Sequence, residues 1–209
     1  MTSSPGIYVL AGTNGAGKST LLGEAIKAAN GTYFNPDSVA LQIKQEMGIG
    51  DDEANAAAWA EMVRLLKRAI AERAYFAFET TLGGRTITGL LAEAAATGLP
   101  VHIWYAALAT PELHIARVRS RVAEGGHDIE ERRIRERYVA SPEHLCELLP
   151  GLASLAVFDN SADADSEHGD WQGPELVIRT VGGRVTDLAA VIPSWAQPIV
   201  DAAKAIDDS

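Results

Sequence analysis

Apolar and polar positions along this chain fall into short blocks whose period changes from one block to the next. Ile7 to Ala11 is a continuous apolar run, the signature of a strand buried on both faces. A glycine-rich turn follows. Lys18 to Ala29 then reads as a helix closed at Asn30-Gly31, because glycine enters the left-handed region readily. Thr32 to Phe34 reads as a short second strand, broken at Asn35-Pro36. From Asp51 to Arg73 the period becomes helical. Trp59, Met62, Val63, Leu66 and Ile70 share one face there, and Glu61, Arg64, Lys67 and Arg68 point elsewhere. Phe76 to Phe78 is the next strand, ending at Glu79. Thr88 to Thr97 is helical and closed by Gly98, and Val101 to Leu108 is another strand-like run. Pro111 opens a helix, and Ala156 to Phe158 is a late core strand stopped by Asp159-Asn160.

Strands alternating with helices predict an α/β fold with a mostly parallel sheet covered by helices on both faces. Ser161 to Gly173 is acidic and polar and reads as a loop. Glu175 to Arg179 and Arg184 to Thr186 flank Val181-Gly182-Gly183 as a small hairpin. Pro193 to Ser209 is weakly amphipathic and is expected to fray. There is no repeat of solenoid length, and one domain is expected over residues 1–209.

Composition narrows the partners. The formal net charge is −10, with 47% hydrophobic and 22% charged residues. An acidic surface disfavours nucleic acids and anionic membranes, which are themselves polyanions. Cys146 is the single cysteine, so no intrachain disulfide is expected. Met1 to Gly6 lacks a basic segment leading into an apolar stretch, and no run approaches a membrane span. A cytoplasmic location is expected.

The turn after the first strand carries the chemistry. Gly12-Thr13-Asn14-Gly15-Ala16-Gly17-Lys18-Ser19 matches G-x-x-x-x-G-K-[ST] at every position, and it leaves a strand and enters a helix as the mechanism requires. Such a loop aims successive backbone N–H groups at phosphate oxygens, and the helix N-terminus adds its positive dipole. Gly12, Asn14, Gly15, Ala16, Gly17, Lys18, Ser19 and Thr20 are therefore read as nucleotide-binding. Lys18 would reach the β- and γ-phosphates, and the Ser19 hydroxyl would ligate Mg²⁺. The guanine-reading Asn/Thr-Lys-x-Asp motif is absent from the sequence, as is Ser-Gly-Gly-Gln of transporter ATPases. ATP, or GTP in its place, is the expected donor.

Ligands of doubly wound sheets bind outside the carboxyl ends of the strands. Asp37 and Glu79 lie at two such ends. A kinase needs a carboxylate to orient or deprotonate the attacking hydroxyl, and Asp37 is assigned that role, with helix capping through Ser38 as the structural alternative. Glu79 has no evident structural partner and is assigned to the acceptor with Thr80 and Thr81. No Walker B-type Asp is expected at the end of an apolar strand, and Val101 to Leu108 carries no acid. Seven of the thirteen arginines fall between Arg117 and Arg137, around Gly125-Gly126-His127. Two helices joined by a glycine pair read as a lid whose arginines fork onto phosphate oxygens. Arg117 and Arg121 share a helix face, as do Arg133 and Arg137. Exposed ion pairs such as Glu131 with Arg135 account for about half of these charges. Arg121 is the first functional candidate, followed by Arg135 and Arg137, with His127 as a lesser contact to phosphate or substrate.

Taken together, these blocks resemble the zeta-toxin-like family of P-loop kinases. The resembling residues are Ala11 to Thr20, Asn35-Pro36-Asp37, Phe78-Glu79-Thr80-Thr81-Leu82, Arg121 to His127, Ile134 to Tyr138, and Asp159-Asn160-Ser161, in family order over roughly residues 6–161. The Glu-x-Thr-Leu and Gly-Gly-His blocks resemble the branch described as predicted ATPases related to zeta toxins. The resemblance implies a phosphotransferase fold with ATP or GTP as donor. It implies Asp37 as base, Glu79 as acceptor ligand, Lys18, Arg121 and Arg135 as catalytic phosphate contacts, and Asn160 near the nucleotide base. Classical zeta toxins phosphorylate a hydroxyl of UDP-N-acetylglucosamine and are blocked by a small antitoxin. A nucleotide sugar acceptor and an antitoxin partner are thereby implied.

Overall fold

The computed structural model describes residues 4–18, 33–126, 128–162 and 173–208. Six strands form one sheet: β1 (Gly6–Ala11), β2 (Tyr75–Thr80), β3 (Val101–Ala107), β4 (Ser154–Asp159), β5 (Glu175–Val181) and β6 (Arg184–Leu188). Their spatial order is β2-β1-β3-β4-β5-β6. The pairs β1–β2, β1–β3 and β3–β4 are parallel, whereas β4–β5 and β5–β6 are antiparallel. The described helices are α1 (Pro36–Met47), α2 (Asp51–Glu72), α3 (Arg85–Ala96), α4 (Pro111–Ala123), α5 (Glu131–Leu148) and α6 (Gln197–Asp207). From β1 the chain adds β2 on one side and then crosses to β3 on the other. That reversal opens a crevice at the carboxyl end of β1.

Side chains of β1 divide between the two faces of the sheet as a period of two demands. Ile7, Val9 and Ala11 join the main core, which also holds Met62 and Leu66 of α2, Leu91 of α3, Leu145 of α5 and Ile199 of α6. Leu10 and Tyr8 belong to a second cluster with Ala77 and Ala106. Of the predicted second strand, Phe34 makes a single parallel bridge to Phe78, and Thr32 lies outside the described residues. The predicted helix after Lys18 also lies outside them.

The C-terminal segment departs from expectation. It does not fray: α6 buries Ile199, Val200 and Ala203, and the preceding Trp195 packs its ring 6.2 Å from that of Tyr105. The predicted hairpin exists as β5 and β6 and widens the sheet, which gives α6 a surface to cover. Burying Ile199 and Val200 contributes roughly 1.5–3 kcal/mol each, and the apolar positions of α6 gather on one face, contrary to the weak amphipathicity expected.

Candidate active site

The phosphate-loop sequence leaves β1 and turns against β3 so closely that only glycine fits. A Cβ on Gly12 would lie 2.0 Å from the Ala106 carbonyl oxygen, and φ there is +135°. A Cβ on Gly15 would lie 2.7 Å from the His114 carbonyl oxygen, at φ +80°. Both positions exclude side chains by backbone contact, which explains the glycines independently of any ligand.

Two buried side chains brace the loop from behind. His114 is fully buried on α4. Its Nε2 accepts from the Leu108 N–H at 3.2 Å, so its Nδ1 carries the proton and donates to the Asn14 carbonyl at 2.7 Å. Burial pushes its pKa down to about 4, which keeps this ring neutral. Asn160, just past β4, donates from Nδ2 to the Ala16 carbonyl at 3.0 Å and is itself buried. The family resemblance implies a place for Asn160 near the nucleotide base. The structure seats its amide under the loop, outside the residues that line the cleft.

Lys18 is buried and reaches back along the loop. Its Nζ donates to the Thr13 carbonyl at 3.3 Å and lies 3.6 Å from Glu79 Oε1. Desolvation pushes its pKa down, and the Glu79 carboxylate acts against that. Glu79 stands opposite Leu10 in the β1–β2 register, and its Oε2 accepts from Asn35 Nδ2 at 3.1 Å. Among the described residues Glu79 therefore has structural partners in Lys18 and Asn35, contrary to the expectation of none. Parallel pairing beside β1 is what brings them together.

The capping alternative for Asp37 is corrected. Asn35 is the N-cap of α1 and accepts from the Ser38 N–H at 3.1 Å. Asp37 sits in the first turn with a side-chain exposure of 57%, 4.0 Å from Arg121. Asn35 thus caps α1 with its oxygen and holds Glu79 with its nitrogen, a double role sequence reading missed. The signal was present, since Asn35-Pro36 is a standard cap followed by N1 proline.

A cleft of about 930 Å³ lies over the loop. Lys18, Asp37, Glu79, Thr80, Thr81, Arg117, Arg121 and Arg137 line it, together with Asn14, Gly15 and Gly17. Arg137 donates to Asn14 Oδ1 at 2.7 Å, and burial pushes its pKa down. The face shared by Arg117 and Arg121 and the face shared by Arg133 and Arg137 both turn inward. Arg135 does not. It pairs with Glu112 at 2.7 Å outside the cleft lining, because two residues along a helix turn the side chain about 200° away from Arg133 and Arg137. The expected Glu131–Arg135 pair is likewise replaced, as Glu131 holds Arg119 across the two helices. Ser19, Thr20 and His127 lie outside the described residues.

The zeta toxin family model matches residues 1–166 of the chain. The chain belongs to the zeta toxin family. A relative of this family member in Haemophilus influenzae, an uncharacterised protein, is 34% identical over 128 residues, covering 61% of this chain and 88% of that one. Two solved structures share the fold. The AvrRxo1-ORF1:-ORF2 complex with ATP aligns with a TM-score of 0.63 at 17% identity over 96% of this chain. A chain of the PezAT chromosomal toxin-antitoxin system of Streptococcus pneumoniae aligns with a TM-score of 0.57 at 17% identity, covering all of this chain and 89% of that one. This chain spans 64% of the AvrRxo1 chain. The architecture is that of P-loop kinases, with a mixed sheet flanked by six described helices. No described helix is long and apolar enough to cross a membrane.

Proposed function

We propose that this protein transfers the γ-phosphoryl group of ATP to a hydroxyl of a small molecule. The observation that carries the reading is the convergence of the glycine-dependent loop, buried Lys18 and two strand-end carboxylates on one cleft lined by four inward-facing arginines.

The residues fit a nucleoside triphosphate. Lys18 is held by a carboxylate and a carbonyl that phosphate oxygens replace as partners. Arg117, Arg121, Arg133 and Arg137 present guanidinium forks to phosphate oxygens and neutralise the transferring group. Asp37 takes the proton of the acceptor hydroxyl as its oxygen bonds to the γ-phosphorus. The bond from that phosphorus to the β-bridging oxygen breaks, and ADP leaves. Arg121 beside Asp37 holds the base next to the transferring phosphate. Mg²⁺ bound with the nucleotide would supply charge neutralisation for the transferring phosphoryl group. Ser19 is its proposed ligand, and no group of three or more His, Cys, Asp or Glu among the described residues is placed to hold an ion.

The reading includes an antitoxin partner and a cytoplasmic setting. It is supported by family membership and by the fold shared with a chain of a toxin-antitoxin system. The deciding experiment is transfer from γ-labelled ATP with Mg²⁺ across sugars, nucleotide sugars, nucleotides and nucleic-acid ends. Asp37→Asn is the control. A labelled product that vanishes in the control establishes the kinase, whereas ATP binding without product from any acceptor favours a nucleotide-dependent binding module.

A further inference from the structure

The first turns of α2 do not do what their period predicts. Trp59 falls on the same helical face as the core residues Met62, Leu66 and Ile70, yet it is 47% exposed. The reason is where the helix lies. Its early alanines, Ala54 and Ala58, pack on α1 in a small cluster of their own, away from the sheet. Asp52, Asn55 and Trp59, spaced three and four apart on one face, then line the cleft. An indole half open to a cleft is a large apolar surface awaiting cover.

Cations in the cleft are divided by element. Among the described residues, every cation lining it comes from the phosphate loop or from α4 and α5, with Asp128 and Glu130 of the α4–α5 connection beside them. The wall built by α1, α2, β2 and α3 contributes Asp37, Asp52 and Glu79 and no lysine or arginine. Phosphates of the donor use the cationic side. An acceptor resting on the other wall meets carboxylates, an amide and an aromatic face. Carboxylates in a partly desolvated cleft repel a second phosphate-bearing molecule and favour hydroxyl or ammonium donors.

Resting on the phosphotransferase reading, we propose that the acceptor is a phosphate-free polyhydroxylated compound of the amino sugar or polyol class. Its apolar ring face stacks on Trp59, and its hydroxyl or ammonium groups donate to Asp52 and to the Asn55 side chain. Asp37 takes the hydroxyl that is phosphorylated. Trp59 and Asp52 thereby set specificity against nucleoside-diphosphate sugars, the acceptor class that family resemblance implies.

The test has two arms on the full chain. ATP binding is first measured by calorimetry. Failure there would sink the phosphotransferase reading itself rather than the acceptor class. Transfer from γ-labelled ATP is then compared across amino sugars, polyols and neutral sugars on one side and nucleoside-diphosphate sugars on the other. Product from the phosphate-free set, with at least about tenfold lower kcat/KM for the diphosphate sugars, is expected. Trp59→Ala should raise acceptor KM by about tenfold with kcat within about threefold, the mark of lost ground-state binding. Acceptor addition should also change tryptophan emission in the native chain and not in Trp59→Phe. Faster transfer to diphosphate sugars overturns the proposal, as does ATP binding without product from any phosphate-free acceptor. An unchanged acceptor KM in Trp59→Ala overturns the assigned subsite.

Discussion

The ammonium of Lys18 and the carboxylate of Glu79 face each other across the β1–β2 edge at 3.6 Å, both largely shielded from water. Neither is stable there alone, since an unpaired charge in a partly desolvated site costs several kcal/mol. Under the proposed function, Glu79 holds Lys18 where phosphate would sit, and phosphate would take over the counter-charge.

Glu79→Gln should lower stability by about 3 kcal/mol near neutral pH by leaving the buried ammonium without its partner. Lys18 already has a lowered pKa. Between its folded value and its ordinary one the unfolded chain binds more protons, so stability rises with pH in that window. Thermal melts should show the deficit shrinking as pH climbs toward that of free lysine, and shrinking again when ATP is added. A deficit that ATP leaves untouched would argue against phosphate replacing the carboxylate.

Asp37→Asn should reduce turnover by about 10²–10⁴-fold while nucleotide affinity stays within a few-fold. Asn35 rather than Asp37 caps α1, so the variant should melt close to the native chain. Single-turnover transfer and calorimetry on the same preparation separate the two effects.

His114 makes acid a specific threat to the phosphate loop. Its Nε2 must stay unprotonated to accept from Leu108, and burial holds its pKa near 4, below the ordinary 6.5. From about pH 6.5 down to about pH 4 the unfolded chain takes up a proton that the folded chain refuses, so stability falls with falling pH. The loss is about 3 kcal/mol when complete. Denaturant titrations at pH 7 and pH 4.5 should show it, and His114→Gln should flatten the difference.

Two glycines give opposite outcomes with the same substitution. Gly12→Ala drives a methyl into the Ala106 carbonyl and should abolish nucleotide binding or folding. Gly89→Ala sits in α3 with nothing within 4 Å of the new Cβ and should stabilise by up to about 1 kcal/mol. Circular dichroism melts of both check the claim.

Arginine position on α5 is decided by the helix period. Arg137→Ala should weaken nucleotide binding by about tenfold or more, since it removes a largely desolvated guanidinium beside the loop. Arg135→Ala removes only an exposed pair with Glu112 and should change stability by less than about 1 kcal/mol and binding hardly at all. Equal effects from the two would overturn this placement.

The phosphate loop was legible because its chemistry is local. Eight consecutive residues between a strand and a helix specify their own backbone path, and Gly12 and Gly15 are needed there for steric reasons alone. The early strands, α2 and the lid helices were legible from period, and so was the pairing of Arg117 with Arg121 and of Arg133 with Arg137 on common faces. Choosing among the arginines was not, because period tells which residues share a face and not which way that face points. Period alone therefore does not separate Arg135, which points away from the cleft, from Arg133, which lines it.

By itself the sequence determined the order and type of the main elements, the glycine-dependent turn and the carboxylates available at strand ends. Tertiary structure decided partners. Parallel pairing of β1 with β2 set Glu79 against Lys18, the reach of α4 put His114 under Asn14, and the hairpin built the surface that α6 covers. It also turned Trp59 out of the core, because α2 starts over the cleft and meets the sheet only further along. Each of these rests on contacts between residues far apart in the chain, and no local pattern of apolar and polar positions carries that information.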